Sequence, residues 1–185
     1  MKFLRNKKGF SLIEMLLVLG VLAVLLVAAF VVYPRVRDAS RANIEVTNLT
    51  LIKANIQNLY AAKMGDYTGL YTSTANQARV FPESMNSGVY TGQEIQSAWG
   101  GVVRAQVLPN ADAAMAAGKG FTIDYYSVPS AVCLGIVSAT ANMFNDIRVG
   151  GNRVMNHGVV PRTLDPAAAA QECSAESPSI TFFSN

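Results

Sequence analysis

The chain has 185 residues and a mass of 19.8 kDa, which allows one compact domain with an appendage but excludes two large enzyme domains. Hydrophobic residues make up 51% and charged residues 15%, so a disordered or nucleic-acid-binding chain is a poor description. Four of the 15 basic residues lie among the first nine residues, and the other 11 are balanced by 12 acidic residues. The remaining chain therefore offers no basic surface for nucleic acid.

An apolar segment follows the basic start. Between Phe10 and Tyr33, 21 of 24 residues are apolar, and no charged residue occurs from Met15 to Tyr33. At about 1.5 Å per residue, a helix of this length crosses most of the roughly 30 Å hydrocarbon layer of a bilayer. The preceding positive charges favour the cytoplasmic side, which places the chain after the segment outside the cytoplasm. We therefore predict a single membrane-spanning helix, with a cleaved secretory signal peptide as the alternative.

Glu14 is the one charged residue in the apolar segment. A carboxylate at the centre of a bilayer costs about 2.5–3.5 kcal/mol, and less near the interface. Glu14 is therefore expected to have a partner or to lie in a wet position. A charge that is merely tolerated at the membrane surface is the alternative interpretation.

The residues around Glu14 resemble a processing signal. Lys7 and Lys8 are followed by the run Gly9-Phe10-Ser11-Leu12-Ile13-Glu14. This run resembles the class III signal of type IV pilins and of the related pseudopilins. The resemblance implies that residues 1–9 are a prepilin leader peptide, and that prepilin peptidase cuts between Gly9 and Phe10 and methylates the new amine of Phe10. In a filament, Glu14 would then pair with the Phe10 amine of a neighbouring subunit.

A second helical stretch follows the span. Apolar residues recur there at intervals of three and four, which is typical of a helix with one buried face. They are Leu49, Ile52, Ile56 and Leu59, with Ile44 before them and Tyr60 and Met64 on the same stripe. We expect Gly65 to end the helix. The pilin resemblance implies one helix over residues 10–64, with 10–33 as membrane span and filament core, and 34–64 packed on a globular head of residues 65–185.

The head is predicted to combine short helices and strands. The expected helices cover residues 74–79, 93–98, 131–143 with Ser130 as N-cap, and the stretch after Asp165-Pro166. The expected strands cover residues 99–108, 121–128 and 180–183, with a hairpin at Gly150-Gly151. Alternation of apolar and polar residues from Phe121 to Tyr125 predicts a half-buried strand.

The order of these elements resembles the thin-pilus (PilS-like) pilins of conjugative plasmids and related type IVb pilins. The likeness extends over most of the chain and includes Thr68-Gly69-Leu70, Phe81-Pro82-Glu83, Trp99-Gly100-Gly101, Val128-Pro129-Ser130 and Asp165-Pro166. The short leader and Phe10 are instead typical of type IVa pilins. The implied fold class is α+β, the type IV pilin fold, in which a long N-terminal helix packs on a head with an antiparallel sheet.

The two cysteines, Cys133 and Cys173, are few enough to be paired in an oxidising compartment or incidental in a reducing one. The predicted topology places them outside the cytoplasm, so we expect a disulfide that links two of the predicted helices. In pilins such a bridge bounds an exposed region of the head. By resemblance, the residues between the two cysteines are therefore candidates for contacts with other subunits or with a host.

No motif for catalysis stands out in the sequence. His157 is the single histidine, and no nucleophile is marked beside it. One histidine with two distant cysteines cannot form a standard structural zinc set. We therefore expect a structural protein rather than an enzyme, with no catalytic residue, no cofactor, no metal and no nucleic-acid partner.

The resemblance implies the structural subunit of a type IV pilus. The precursor would lie in the bacterial inner membrane with its head in the periplasm, and an assembly platform powered by a cytoplasmic ATPase would polymerise it into an extracellular filament. Adhesion, aggregation or conjugative mating-pair contact with a host or recipient cell surface would follow. The alternatives are a type II secretion pseudopilin, a minor pilin, and a single-span membrane-anchored binding or enzymatic domain.

Overall fold

The computed structural model describes residues 11–85, 94–112, 115–156 and 163–185. It divides into two compact units, Met1–Asp38 and Ala39–Asn185. Helix α1 (Leu12–Tyr60) begins in the first unit and ends in the second. Helix α1 ends at Tyr60 rather than at Gly65. A 3-10 turn at Ala61–Lys63 follows it, and Met64 and Gly65 then adopt positive φ angles, which ends the helical path of the chain.

The second unit contains a five-stranded antiparallel sheet with the order β1-β2-β5-β3-β4. The strands are β1 (Val103–Val107), β2 (Phe121–Tyr125), β3 (Asp146–Val149), β4 (Asn152–Arg153) and β5 (Ile180–Ser184). The short helices are α2 (Thr72–Gln77), α3 (Ser130–Thr140) and α4 (Pro166–Glu172). Strand β5, last in chain order, lies at the centre, where Phe182 is the register partner of both Ile123 and Ile147.

One face of α1 contributes to the core of the second unit. Leu49, Ile52, Ile56 and Tyr60 are buried and belong to the same core cluster as the apolar side chains of the sheet. Three residues that were predicted on this face are instead exposed, namely Ile44, Leu59 and Met64. Ile44 and Leu59 each lie next to a buried position in the sequence, and one residue along a helix turns a side chain by about 100°.

Strand β2 differs from the half-buried prediction, because all five of its residues are buried. It pairs with β1 on one side and β5 on the other, so neither edge is open. Its polar side chains are covered as well: Thr122 and Asp124 are buried, and Asp124 accepts hydrogen bonds from Thr122 at 3.4 Å and Gln106 at 3.2 Å.

Two helix predictions are wrong in detail. Ser130 is the first residue of α3 rather than its N-cap, which is Pro129, and the helix ends at Thr140. In the described part of the predicted helix 93–98, Gln96 instead forms a β-bridge with Val102. Around Gln96, hydrogen bonds to the residues that precede β1 therefore take the place of the predicted helical hydrogen bonds.

Two local predictions are confirmed. Strands β3 and β4 form a hairpin in which Gly150 and Gly151 have φ angles of 58° and 87°, as a type I′ turn requires. Helix α4 begins after Asp165, whose carboxylate accepts hydrogen bonds from the backbone N–H groups of Ala167 at 3.0 Å and Ala168 at 3.1 Å.

Replacement of this N-cap tests its contribution to stability. We expect Asp165→Ala to lower the free energy of unfolding by about 1 kcal/mol, because two backbone N–H groups lose their acceptor. Asp165→Asn keeps an acceptor oxygen and should recover most of that loss. Urea denaturation of the full-length chain in detergent micelles, followed by circular dichroism, measures both. An equal loss in the two variants would contradict the capping role.

Candidate assembly site

The predicted site residues at the start of the chain are Gly9, Phe10 and Glu14. Gly9 and Phe10 lie outside the described residues, whereas Glu14 lies in the first turn of α1 with an exposed side chain. Within the described ranges, no side chain or backbone group makes a hydrogen bond or an ion pair with the Glu14 carboxylate. Its place in the first turn is electrostatically favourable, because the N-terminal end of a helix carries partial positive charge.

The helix that carries Glu14 is long and apolar enough to cross a membrane. The candidate span covers Leu12–Phe30, has a mean hydropathy of 2.8, and has none of its length buried inside the structure. The exposed fractions of its large apolar side chains run from 45% at Val18 to 79% at Leu12. Complete burial of one such side chain gains about 1.5–3 kcal/mol, so this surface requires a lipid or protein environment.

A shallow groove interrupts this apolar surface at Gly20, between Leu17, Val21 and Val24. Nothing lies within 4 Å of the place where a Cβ atom of residue 20 would be. Small residues of this kind let two apolar helices approach each other closely. Chemically, the segment can therefore pack against lipid or against other helices, and Glu14 can bind one cationic group at its end.

Another carboxylate on α1, that of Glu45, was not among the predicted site residues. It is 2% exposed and accepts hydrogen bonds from the backbone N–H of Ala98 at 2.6 Å and the hydroxyl of Tyr125 at 3.2 Å. Burial raises the pKa of Glu45 and outweighs these hydrogen bonds, which lower it. Burial, followed by the nearby carboxylate, raises the pKa of Tyr125 well above its usual range. No sequence signal marks this contact, because its partners lie far along the chain.

The disulfide between Cys133 and Cys173 is present, with the two Cα atoms 5.6 Å apart. Cys133 lies in α3, Cys173 directly follows α4, and both are buried. Helix α4 has seven residues, of which Ala169 alone is buried. The disulfide is therefore a major attachment of α4 to the rest of the second unit.

Two arginines and two aspartates form a charged cluster on β3, β4 and the segment before β2. Arg153 donates to the fully buried Asp146 at 2.7 Å, and Arg148 donates to both carboxylate oxygens of Asp112 at 2.6 and 2.7 Å. The Arg148 guanidinium also lies 4.5 Å from the centre of the Phe183 ring. The charges balance, so the cluster ties the segment at Asp112 to the sheet and leaves no net charge for a ligand.

Two family models match the chain. The model of the PilS N-terminal family matches residues 39–185, and the model of the prokaryotic N-terminal methylation motif matches residues 4–30. The second match contains Gly9, Phe10 and Glu14. The comparison with curated proteins produced no match.

Solved structures with a similar fold include two pilins. The type IVb pilin from Salmonella typhi has 19% sequence identity and a TM-score of 0.53, over 77% of this chain and 99% of that chain. TcpA, a type IV pilin from Vibrio cholerae El Tor biotype, has 16% identity and a TM-score of 0.53, over 80% of this chain and 99% of that chain. The long helix and the antiparallel sheet match the predicted α+β fold. The chain therefore belongs to the PilS N-terminal family, contains a prokaryotic N-terminal methylation motif and has the fold of the type IV pilins.

Proposed function

We propose that the chain is the precursor and the building block of a type IV pilus filament. The observation that carries the proposal is the apolar, unburied surface of Leu12–Phe30 with a single carboxylate, Glu14, at one end. Such a surface is stable in two environments, a membrane before assembly and a bundle of identical helices after it. Membership of the PilS N-terminal family, the N-terminal methylation motif and the type IV pilin fold support a role as a pilus subunit.

Processing converts the membrane-bound form into the assembling form. A prepilin peptidase cleaves after Gly9 and methylates the amine of Phe10. Cleavage removes Lys2, Arg5, Lys7 and Lys8, the positive charges that hold the chain on the cytoplasmic side, and leaves the apolar helix intact. The cleaved subunit can then leave the bilayer, since no charged group on the leader has to cross it.

Pairing of Glu14 with the Phe10 amine of an adjacent subunit sets the axial register of the filament. A lone carboxylate in apolar surroundings is costly, and an ammonium group within hydrogen-bond distance offsets that cost. A subunit in the wrong register leaves both charges buried without partners. The pair therefore contributes to specificity as well as to stability.

The precursor spans the inner membrane once, with residues 39–185 in the periplasm. The disulfide between Cys133 and Cys173 supports an oxidising compartment for this part of the chain. An assembly platform and its ATPase move the processed subunit into the extracellular filament. The second unit then forms the filament surface, which makes the contacts for adhesion, aggregation or mating with a host or recipient cell.

Mass spectrometry of the mature N-terminus and electron microscopy of sheared surface material test the proposal together. We expect a chain that begins with methylated Phe10 and fibres labelled along their length by an antibody to residues 39–185. As a matched control, Gly9→Val should retain residues 1–9 and be absent from fibres, because a branched side chain obstructs the peptidase at the cleaved bond.

Other results separate the alternatives. Labelling confined to fibre ends identifies a minor pilin, and processed protein without surface fibres favours a pseudopilin. A chain that still begins at Met1 and is recovered only in membranes identifies an anchored domain. Each of these three results contradicts the proposed role as the main filament subunit.

A further inference from the structure

The turn that precedes β1 rests on α1 through the buried carboxylate of Glu45. This turn, residues 97–101, is here called the tip loop. The backbone N–H of Ser97 donates to the carbonyl of Gly101 at 2.8 Å, and that of Gly100 donates to the carbonyl of Ser97 at 2.9 Å. The N–H of Ala98 points the other way and donates to Glu45 at 2.6 Å. Two backbone hydrogen bonds therefore close the turn of the tip loop, and the short hydrogen bond from Ala98 to Glu45 joins it to α1.

The closed tip loop buries polar groups that water would otherwise solvate. The hydroxyl of Ser97 and the indole N–H of Trp99 are buried, and neither has a hydrogen-bond partner among the described residues. Glu45 borders a cavity of about 10 Å³, which is at the lower limit for one water molecule. Opening of the tip loop would hydrate both donors and the carboxylate, so the closed form is held less firmly than its packing suggests.

Glu45 is the carboxyl group of this cluster, and burial raises its pKa. From β2 it faces the hydroxyl of Tyr125, from α1 the side chain of Asn48, and from the tip loop the N–H of Ala98. The remaining walls of the cavity are apolar, namely Leu49, Val128, Ile136, Ile180 and Phe182. In the described part of the chain, no cationic side chain forms an ion pair with Glu45. Its charge is therefore compensated by hydrogen-bond donors alone.

We propose that Glu45 makes the tip loop a pH-sensitive latch, which closes on α1 when Glu45 is protonated and opens more often when Glu45 is ionised. Burial in the closed form raises the pKa of Glu45 above its ordinary value of 4.5. The closed form thus binds the proton more tightly than the open form does. Opening becomes more frequent as the pH rises above about 4.5, by up to about tenfold per pH unit, and levels off above the raised pKa.

The single tryptophan of the chain, Trp99, reports the state of the latch directly. Acrylamide quenching of its fluorescence is measured from pH 4 to pH 8 on the full-length chain in detergent micelles, with hydrogen exchange at Ala98 as a second readout. We expect quenching to be weak at pH 4 and to increase with pH. Glu45→Gln, which is neutral at every pH and keeps an acceptor for Ala98, should give weak quenching throughout.

Asp124→Asn is the matched control. Asp124 is also a buried carboxyl whose pKa is raised by burial, but its hydrogen-bond partners are Thr122, Gln106 and Thr181 rather than the tip loop. This variant should keep the wild-type profile. Quenching independent of pH in the wild type, an unchanged profile in Glu45→Gln, or a lost profile in Asp124→Asn would overturn the proposal.

Tyr125→Phe tests the latch without a change at Glu45 itself. It removes a donor that stabilises the ionised carboxylate in the closed form, so the upper end of the transition should move to higher pH. A transition that stays at the wild-type pH, or moves to lower pH, would contradict the role of Glu45. If Glu45→Gln does not fold, the pH of the transition in Tyr125→Phe still tests whether Glu45 controls the opening of the tip loop.

Discussion

Glu14→Val is expected to abolish filament assembly and to leave cleavage after Gly9 intact. In the proposed filament the variant leaves the Phe10 amine of each neighbour buried without a partner. Loss of one partner of a buried ion pair costs about 3–5 kcal/mol, which weakens each addition of a subunit by about 10²- to 5 × 10³-fold. The apolar surface of Leu12–Phe30 is unchanged, so the precursor should still enter the membrane. Mass spectrometry of membrane fractions and counts of fibres by electron microscopy provide the two readouts.

Two further substitutions at this position separate charge from shape. Glu14→Gln keeps the size and one hydrogen-bond acceptor but removes the charge, and it should assemble poorly. Glu14→Asp keeps the charge one methylene group closer to the backbone, and it should assemble in part. Normal fibres from the Val variant would exclude the ion pair. A Val variant that is not cleaved would instead place the role of Glu14 in processing.

Removal of the disulfide is expected to have the second large effect. Cys133 and Cys173 are 40 positions apart, and closure of a loop of that length stabilises a folded chain by about 4 kcal/mol in the chain-entropy model. We expect Cys133→Ser combined with Cys173→Ser to lower the free energy of unfolding by most of that amount. The double variant avoids an unpaired thiol, which could form a disulfide with a second chain. Urea denaturation of the full-length chain in micelles measures the change.

The loss should be concentrated around α4. This helix is shorter than an isolated helix that is stable in water, and its remaining attachments include the buried Ala169 and the hydrogen bond from Asn152 to Glu172 at 2.9 Å. Hydrogen exchange in α4 should therefore accelerate more than in the central strand β5. As a control, reductant should lower the stability of the wild type and leave the double variant unchanged. Equal stability of the two proteins in the absence of reductant would contradict a stabilising role of the bridge.

The features that the sequence predicts well depend on residues close together in the chain. The apolar span, the N-terminal motif, the Gly150-Gly151 hairpin and the Asp165 cap are each specified by a few adjacent residues. The likeness to type IVb pilins rests on a series of such local motifs in order. Local motifs alone did not suffice for the fold class, because the spatial arrangement of the elements came from the resemblance to type IVb pilins.

The features that were missed depend on contacts between distant residues. Glu45 lies between Ile44 and Val46 on α1, and nothing near it in the sequence indicates that Ala98 and Tyr125 cover it. The burial of both faces of β2 likewise depends on side chains from distant parts of the chain, which the alternation of its own residues does not reveal. Leu59 shows the limit of periodicity, because two adjacent positions, Leu59 and Tyr60, both fit the apolar spacing and Tyr60 is the buried one.

The central place of β5 determines when the sheet can form during synthesis of the chain. Without it, β1 pairs with β2 and β3 pairs with β4, but β2 and β3 share no hydrogen bonds. Two separate two-stranded ladders are marginal in water, and each presents an open edge. A chain that has been synthesised only as far as β4 therefore lacks the strand that joins the two ladders. Formation of the complete sheet must wait for residues 180–184, and until then the edges of β2 and β3 stay open to pairing with other chains.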